Sequence, residues 1–129
     1  MRLPCEIVIM DVLPVIRKEL AVRLVETHKM TKTNVARMFN VSGTAISQYT
    51  HGMRGNGPMI MDFPQYDAFM NEIYGSAANI ASGDGDVMNE LCRLCDIAKH
   101  MGLAEHIHMK SRPRLPLVKC AECPRKGVC

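Results

Sequence analysis

The stretch "MTKTNVARMFNVSGTAISQYTHGMRG", running from Met30 to Gly55, constrains the fold more than any other. Thr31 is placed to cap a short helix that buries Val35, Ala36 and Phe39. Asn40 follows where the chain has to turn sharply, and Asn tolerates the left-handed conformation better than any residue but Gly. Ser42 is a good N-cap for a second helix burying Ala45, Ile46 and Tyr49. Two short helices joined by a tight turn make a helix-turn-helix, and each needs a partner for its apolar stripe.

The flanking segments supply those partners. "PVIRKELAVRLVETHKM" sets Ile16, Leu20 and Leu24 on one helical face, with Pro14 breaking or kinking whatever precedes it. Val12, Val15 and Val22 form a second stripe, so this helix is expected to meet either the middle of the chain or a second subunit. After the Gly- and Pro-rich turn "GNGPMIMDFP", "QYDAFMNEIYGSAANIAS" reads as an amphipathic helix with Tyr66, Phe69, Ile73 and Ala77 in line. "SGDGD" is a loop, and "DVMNELCRLCDIAKHMG" is a further helix that starts with acids and ends in Lys99, His100 and a capping Gly102. Beyond about Lys110, Pro113 and Pro116 argue against a packed helix. Aromatics make up 5% of the chain and Trp is absent, so the core has to be aliphatic and Met-rich, which favours helix over sheet. The expected class is all-α: a helix-turn-helix bundle over 1–57, then a segment over 58–129 with two further helices and an irregular, cysteine-rich, metal-tethered tail.

The stretch from about 13 to 55 resembles the Cro/repressor-type helix-turn-helix, with small Ala36, turn residue Asn40 and apolar Ile46 at the characteristic offsets. The usual turn Gly is Asn here. The resemblance implies that the second helix is a recognition helix entering the major groove of double-stranded DNA by its N-terminal end. Its outward residues are then Ser42, Gly43, Thr44, Ser47 and Gln48. Gln48 can pair bidentately with adenine, Thr44 can offer a hydroxyl and a methyl to base edges, and Gly43 allows close backbone approach. Lys32 and Arg54 are natural phosphate contacts. One such helix reads few base pairs, so a homodimer on a pseudo-palindromic operator is expected.

Charge is segregated along the chain. Residues 1–57 carry eight Lys/Arg against four acids (+4), 58–109 two against eight (−6), and 110–129 six against one (+5). A basic head, an acidic middle and a basic tail imply more than one functional segment. No run of apolar residues is long enough to span a membrane, and Glu6 and Asp11 interrupt the apolar N-terminus that would otherwise suggest a signal sequence. The expected location is the cytoplasm, where six cysteines point to metal or redox chemistry rather than disulfides.

Cys92 and Cys95 are one helical turn apart; Cys120, Cys123 and Cys129 crowd the closing "CAECPRKGVC". A tail this short and proline-rich gains little from apolar burial, and a metal centre tying it to the helical pair would supply the missing stabilisation. Two C-x-x-C pairs are complete for tetrahedral zinc, which leaves Cys129 over. C-x-x-C-P-x4-C also resembles the cluster-binding tails of endonuclease III-type DNA glycosylases, and similar spacing occurs in oxygen-sensing regulators of the CRP/FNR superfamily. That resemblance implies a [4Fe-4S] cluster held by the three tail cysteines with Cys92 or Cys95 as fourth ligand. Metal-free redox thiols are the third option. The "PCE" opening, the "SQY" helix and "LCRLC" are together similar to a group of small archaeal regulators, in which the motif runs on into a nearby Cys and His. Here Ala104 stands in that region, which makes His106 and His108 secondary ligand candidates, while Cys5 reads as a small core residue.

The expectation is a sequence-specific DNA-binding transcriptional regulator with a redox-sensitive [4Fe-4S] cluster, or the same regulator with a structural zinc. An antitoxin-like protein-binding module is the rival from another class. There is no phosphate loop, paired acid/base signature or nucleophile motif, so an enzyme is not expected.

Overall fold

A computed structural model describes residues 3–55 and 60–111, and every regular element among them is a helix, without a strand. The elements are α1 (Pro4–Ile7), a π-turn (Val8–Val12), α2 (Leu13–Glu26), α3 (Lys32–Phe39), α4 (Gly43–Thr50), α5 (Tyr66–Ser82), α6 (Val87–Met101) and α7 (Leu103–Ser111). The all-α expectation holds.

Pro14 explains the π-turn. It has no N–H to give, and in a regular helix its ring would strike the carbonyl four residues back. The chain widens instead: the Leu13 N–H donates to Val8 O, five residues back, and the helix resumes with Pro14 in the first turn of α2. The expected break is thus a local widening within one nearly continuous helical segment.

The central element is α2. Its Ile16, Leu20, Ala21 and Leu24 are fully buried, and α3, α4, α5 and α6 all pack against it. The second stripe is not spare. Val12 is buried, and Val15 and Val22 are half-buried against the same core. On α5, Phe69, Ile73 and Ala77 are buried and Tyr66 half-buried, as the periodicity predicts. Arg23 of α2 also lies over the Tyr74 ring of α5, 4.1 Å from its centroid.

One element exceeds the expectation. Two helices were anticipated after the turn region, and α7 makes a third. Gly102, at φ 83°, ends α6 in the left-handed conformation and lets the chain restart at once. Leu103, Ala104 and Ile107 are buried, and α7 docks on α1 at the other end of the described chain. Only long-range docking gives so short a segment a reason to be helical.

A polar cluster joins α5 to α6. Ser76 is fully buried and donates to Glu90 Oε2 at 2.6 Å. Arg93 reaches Glu90 Oε2 at 3.1 Å, Glu72 Oε2 at 2.8 Å and the Ser76 hydroxyl oxygen, while Asn79 Nδ2 donates to Glu90 Oε1 at 3.4 Å. Burial by itself would push the Glu90 carboxyl up, but the bonds from Ser76, Arg93 and Asn79 outweigh it and hold the group below its ordinary value. A depressed carboxyl contributes stability that is complete above the unfolded value of 4.5 and is lost as pH falls through the lower folded value. The melting-temperature advantage of wild type over Glu90→Gln should therefore be flat at neutral pH and close progressively in acid. An advantage that persists unchanged down to about pH 2 would show that the ionised carboxylate contributes nothing.

Candidate functional site

The pair α3 and α4 is built from local signals that are all satisfied. Thr31 Oγ1 accepts from the Asn34 N–H at 3.1 Å, and Ser42 Oγ accepts from the Ala45 N–H at 3.1 Å. Between them Asn40 is left-handed, φ 53° and ψ 46°, and the Val41 N–H returns to Ala36 O at 3.0 Å. Val35, Ala36, Ala45, Ile46 and Tyr49 are buried, with Phe39 half-buried, so the inward faces of both helices are used by the core.

The outward face carries the expected residues. Lys32, Ser42, Gly43, Thr44 and Arg54 are exposed, and Ser47 and Gln48 are half-buried. A Cβ added to Gly43 would meet nothing within 4 Å, so no packing among the described residues asks for glycine there. Lys29, just before α3, and Arg37, in the last turn of α3, are further exposed cations.

Beyond α4 the chain doubles back. The Met53 N–H donates to Gln48 O at 2.7 Å, and the His51 ring nitrogen Nδ1 lies 2.7 Å from Ser47 O. Gly55, at φ 77°, then passes so close to α2 that an added Cβ would stand 2.5 Å from Lys18 Cβ and 2.9 Å from Pro14 O. This crossing fixes Arg54, whose Nη1 donates to Gln48 Oε1 at 3.4 Å and whose guanidinium sits 5.8 Å from the Tyr49 ring centroid. Spacing alone did not reveal the pairing of Arg54 with Gln48; a Gly two residues beyond "HGM" was the signal for the close crossing.

The cysteines fall differently. Cys92 is exposed and Cys95 half-buried against the core, three positions apart on α6. Burial, and then the neighbouring Cys92, push the Cys95 thiol up. Cys120, Cys123 and Cys129 lie outside the described residues. Cys5 is half-buried on α1, somewhat short of the core position expected. Of the two histidines on α7, His108 is buried, and His106 pairs with Asp62 at 3.2 Å and packs its ring against Phe63. Lys110 also bonds Asp62, and together Lys110 and His106 hold that carboxyl below its usual range. Among the described residues, no three His, Cys, Asp or Glu side chains gather as a metal site would require. No helix among them is long and apolar enough to cross a membrane.

No protein-family model, no curated protein and no solved structure matches this chain.

Proposed function

We propose that this protein is a sequence-specific DNA-binding transcriptional regulator in which α3 and α4 form a helix-turn-helix and α4 reads the major groove. The observation that carries the reading is the division of α4 into two faces. Ala45, Ile46 and Tyr49 are consumed by the core, whereas Ser42, Gly43, Thr44, Ser47 and Gln48 face outward, small or polar, beside exposed cations. Selection from a randomised duplex pool tests it directly. With the selected duplex, Gln48→Ala should cost about 1–3 kcal/mol and relax preference at one position. Lys32→Ala should weaken all duplexes alike and reduce the salt slope by about one. Unchanged base preference in Gln48→Ala would remove it from the reading face. A homodimer on a pseudo-palindromic site remains part of the proposal, but its interface has to lie outside the α2 and α5 stripes, which the core of a single chain already covers.

The second half of the proposal concerns the cysteines. Cys92 and Cys95 present two thiols one turn apart on α6, one exposed and one half-buried, which suits one side of a metal centre anchored on a rigid element. With Cys120, Cys123 and Cys129, one of them would complete the four ligands of a [4Fe-4S] cluster, which when bound supplies one-electron redox and oxygen-sensitive chemistry. Zinc on two C-x-x-C pairs would act as a clip without redox chemistry. Purification without oxygen should give a coloured protein containing iron and sulfide. A colourless protein holding one zinc per chain would replace the cluster by the clip.

A further inference from the structure

We infer that two copies of this protein pair antiparallel along an outward ridge that runs from Glu6 through Ile9, Met10 and Leu13 to Arg17. The ridge is the interface of the homodimer that the DNA-binding reading calls for, and in that respect the inference rests on that reading. Its physical grounds lie in the surface from α1 to α2.

That segment is apolar on two sides, and the core takes one of them. Ile7, Val8, Val12 and Ile16 are buried, whereas Ile9 is 60% exposed and Met10 69%. Leu13 is half-buried, and Leu3 adds a further exposed side chain at the start of α1. The π-turn holds Val8 and Val12 inward and leaves Ile9 and Met10 on the outer side. A helix with apolar residues on both faces is normally covered on both, and adjoining large apolar side chains left in water mark a contact surface.

The charges on the ridge say what covers it. Glu6 and Arg17 are exposed at its two ends, and among the described residues neither side chain has an ion-pair partner. Both lie equally far along the chain from the midpoint between Asp11 and Val12. Met10 and Leu13 flank the same midpoint, and so do Ile9 and Pro14. A second copy laid antiparallel therefore sets Glu6 against Arg17 at both ends, with Met10 against Leu13 between them. A two-fold axis through the midpoint makes the ridge complementary to itself. A parallel copy would set Glu6 against Glu6 and Arg17 against Arg17. The ridge is short, roughly 15 Å along the axis, so the free protein pairs weakly and a palindromic duplex adds to the association.

Sedimentation equilibrium of the full chain, with its cysteines reduced and no DNA present, tests this between about 1 and about 300 μM. Wild type should show a reversible monomer–dimer equilibrium. Met10→Glu, which brings like charges close to the axis, should leave only monomer. Glu6→Arg and Arg17→Glu should each raise the dimer Kd by about tenfold, because each turns two attractive contacts into repulsive ones. Combining the two exchanges should bring Kd back to within about threefold of wild type, which a misfolded protein would not do. Glu6, Met10 and Arg17 are exposed, so melting of each variant at low concentration should match wild type. A wild type that is monomeric throughout would overturn the inference and leave the ridge to residues 112–129 or to a different protein. A dimer indifferent to Met10→Glu, or charge reversals that the double exchange does not restore, would place the interface elsewhere and overturn it equally. These results stand apart from duplex selection, which alone decides whether α4 reads DNA.

Discussion

Phe69→Ala is expected to lower stability by about 3–5 kcal/mol, the cost of deleting a fully buried aromatic that its surroundings cannot replace. Phe69 is the largest fully buried side chain among the described residues and lies on α5, which packs against α2. The same core contains Leu20 and Leu24 of α2 and Leu94 and Ala98 of α6, so the vacancy opens where three helices meet. Domains of this size are stable by only about 5–15 kcal/mol in total, and the change should remove a large part of that margin. Thermal unfolding followed by circular dichroism should show a fall of roughly 10–20 °C. A shift of only a few degrees would mean that α5 is held mainly by its polar cluster with α6.

Gly55→Ala should be nearly as damaging, for two additive reasons. A side chain in the left-handed conformation costs about 1–2 kcal/mol, and forcing atoms into an occupied space about 1–3 kcal/mol more. The occupied space is formed by Lys18 Cβ, Pro14 O and the Tyr49 ring, two of them on α2, so relief requires the chain after α4 to lift away. Gly43→Ala is the matching control. Nothing stands within 4 Å of its added methyl group, and its stability should stay within about 0.5 kcal/mol of wild type. Chemical denaturation of the two variants side by side distinguishes a glycine required by the fold from one the fold merely permits. Equal losses in both would show that the Gly55 crossing is not a tight one.

The features legible in the sequence are those fixed by neighbours along the chain. Thr31 and Ser42 cap their helices, Asn40 takes the left-handed turn, and Gly102 closes α6, because each such preference is decided within about four residues. The apolar stripes of α2 and α5 were equally plain, but periodicity says only that a stripe is covered, not by what. For Val12, Val15 and Val22 the sequence left two covers open, the middle of the chain or a second subunit, and it is α5 and α6 of the same chain that pack against α2. The Ser76–Glu90–Arg93 cluster was not legible, since it joins residues 14 and 17 positions apart whose meeting depends on how the loop at Gly83–Gly85 folds back. In the candidate site, the outward set on α4 followed from helical phase. The Arg54–Gln48 bond did not, because it depends on a chain reversal fixed by contact with another helix.

The docking of α7 on α1 carries a consequence for the order of folding. Within α3 and α4 the partners are close along the chain, so their association closes only short loops. Bringing α7 onto α1 joins residues roughly a hundred positions apart, and loop-closure entropy opposes that meeting until the intervening chain is already compact. Each doubling of the loop adds only about 0.6 kcal/mol, so the penalty is one of sequence in time more than of final stability. Once α2, α5 and α6 have assembled, the effective loop is short, and Leu103, Ala104 and Ile107 find a surface ready for them. The two ends of the described chain are therefore expected to meet last.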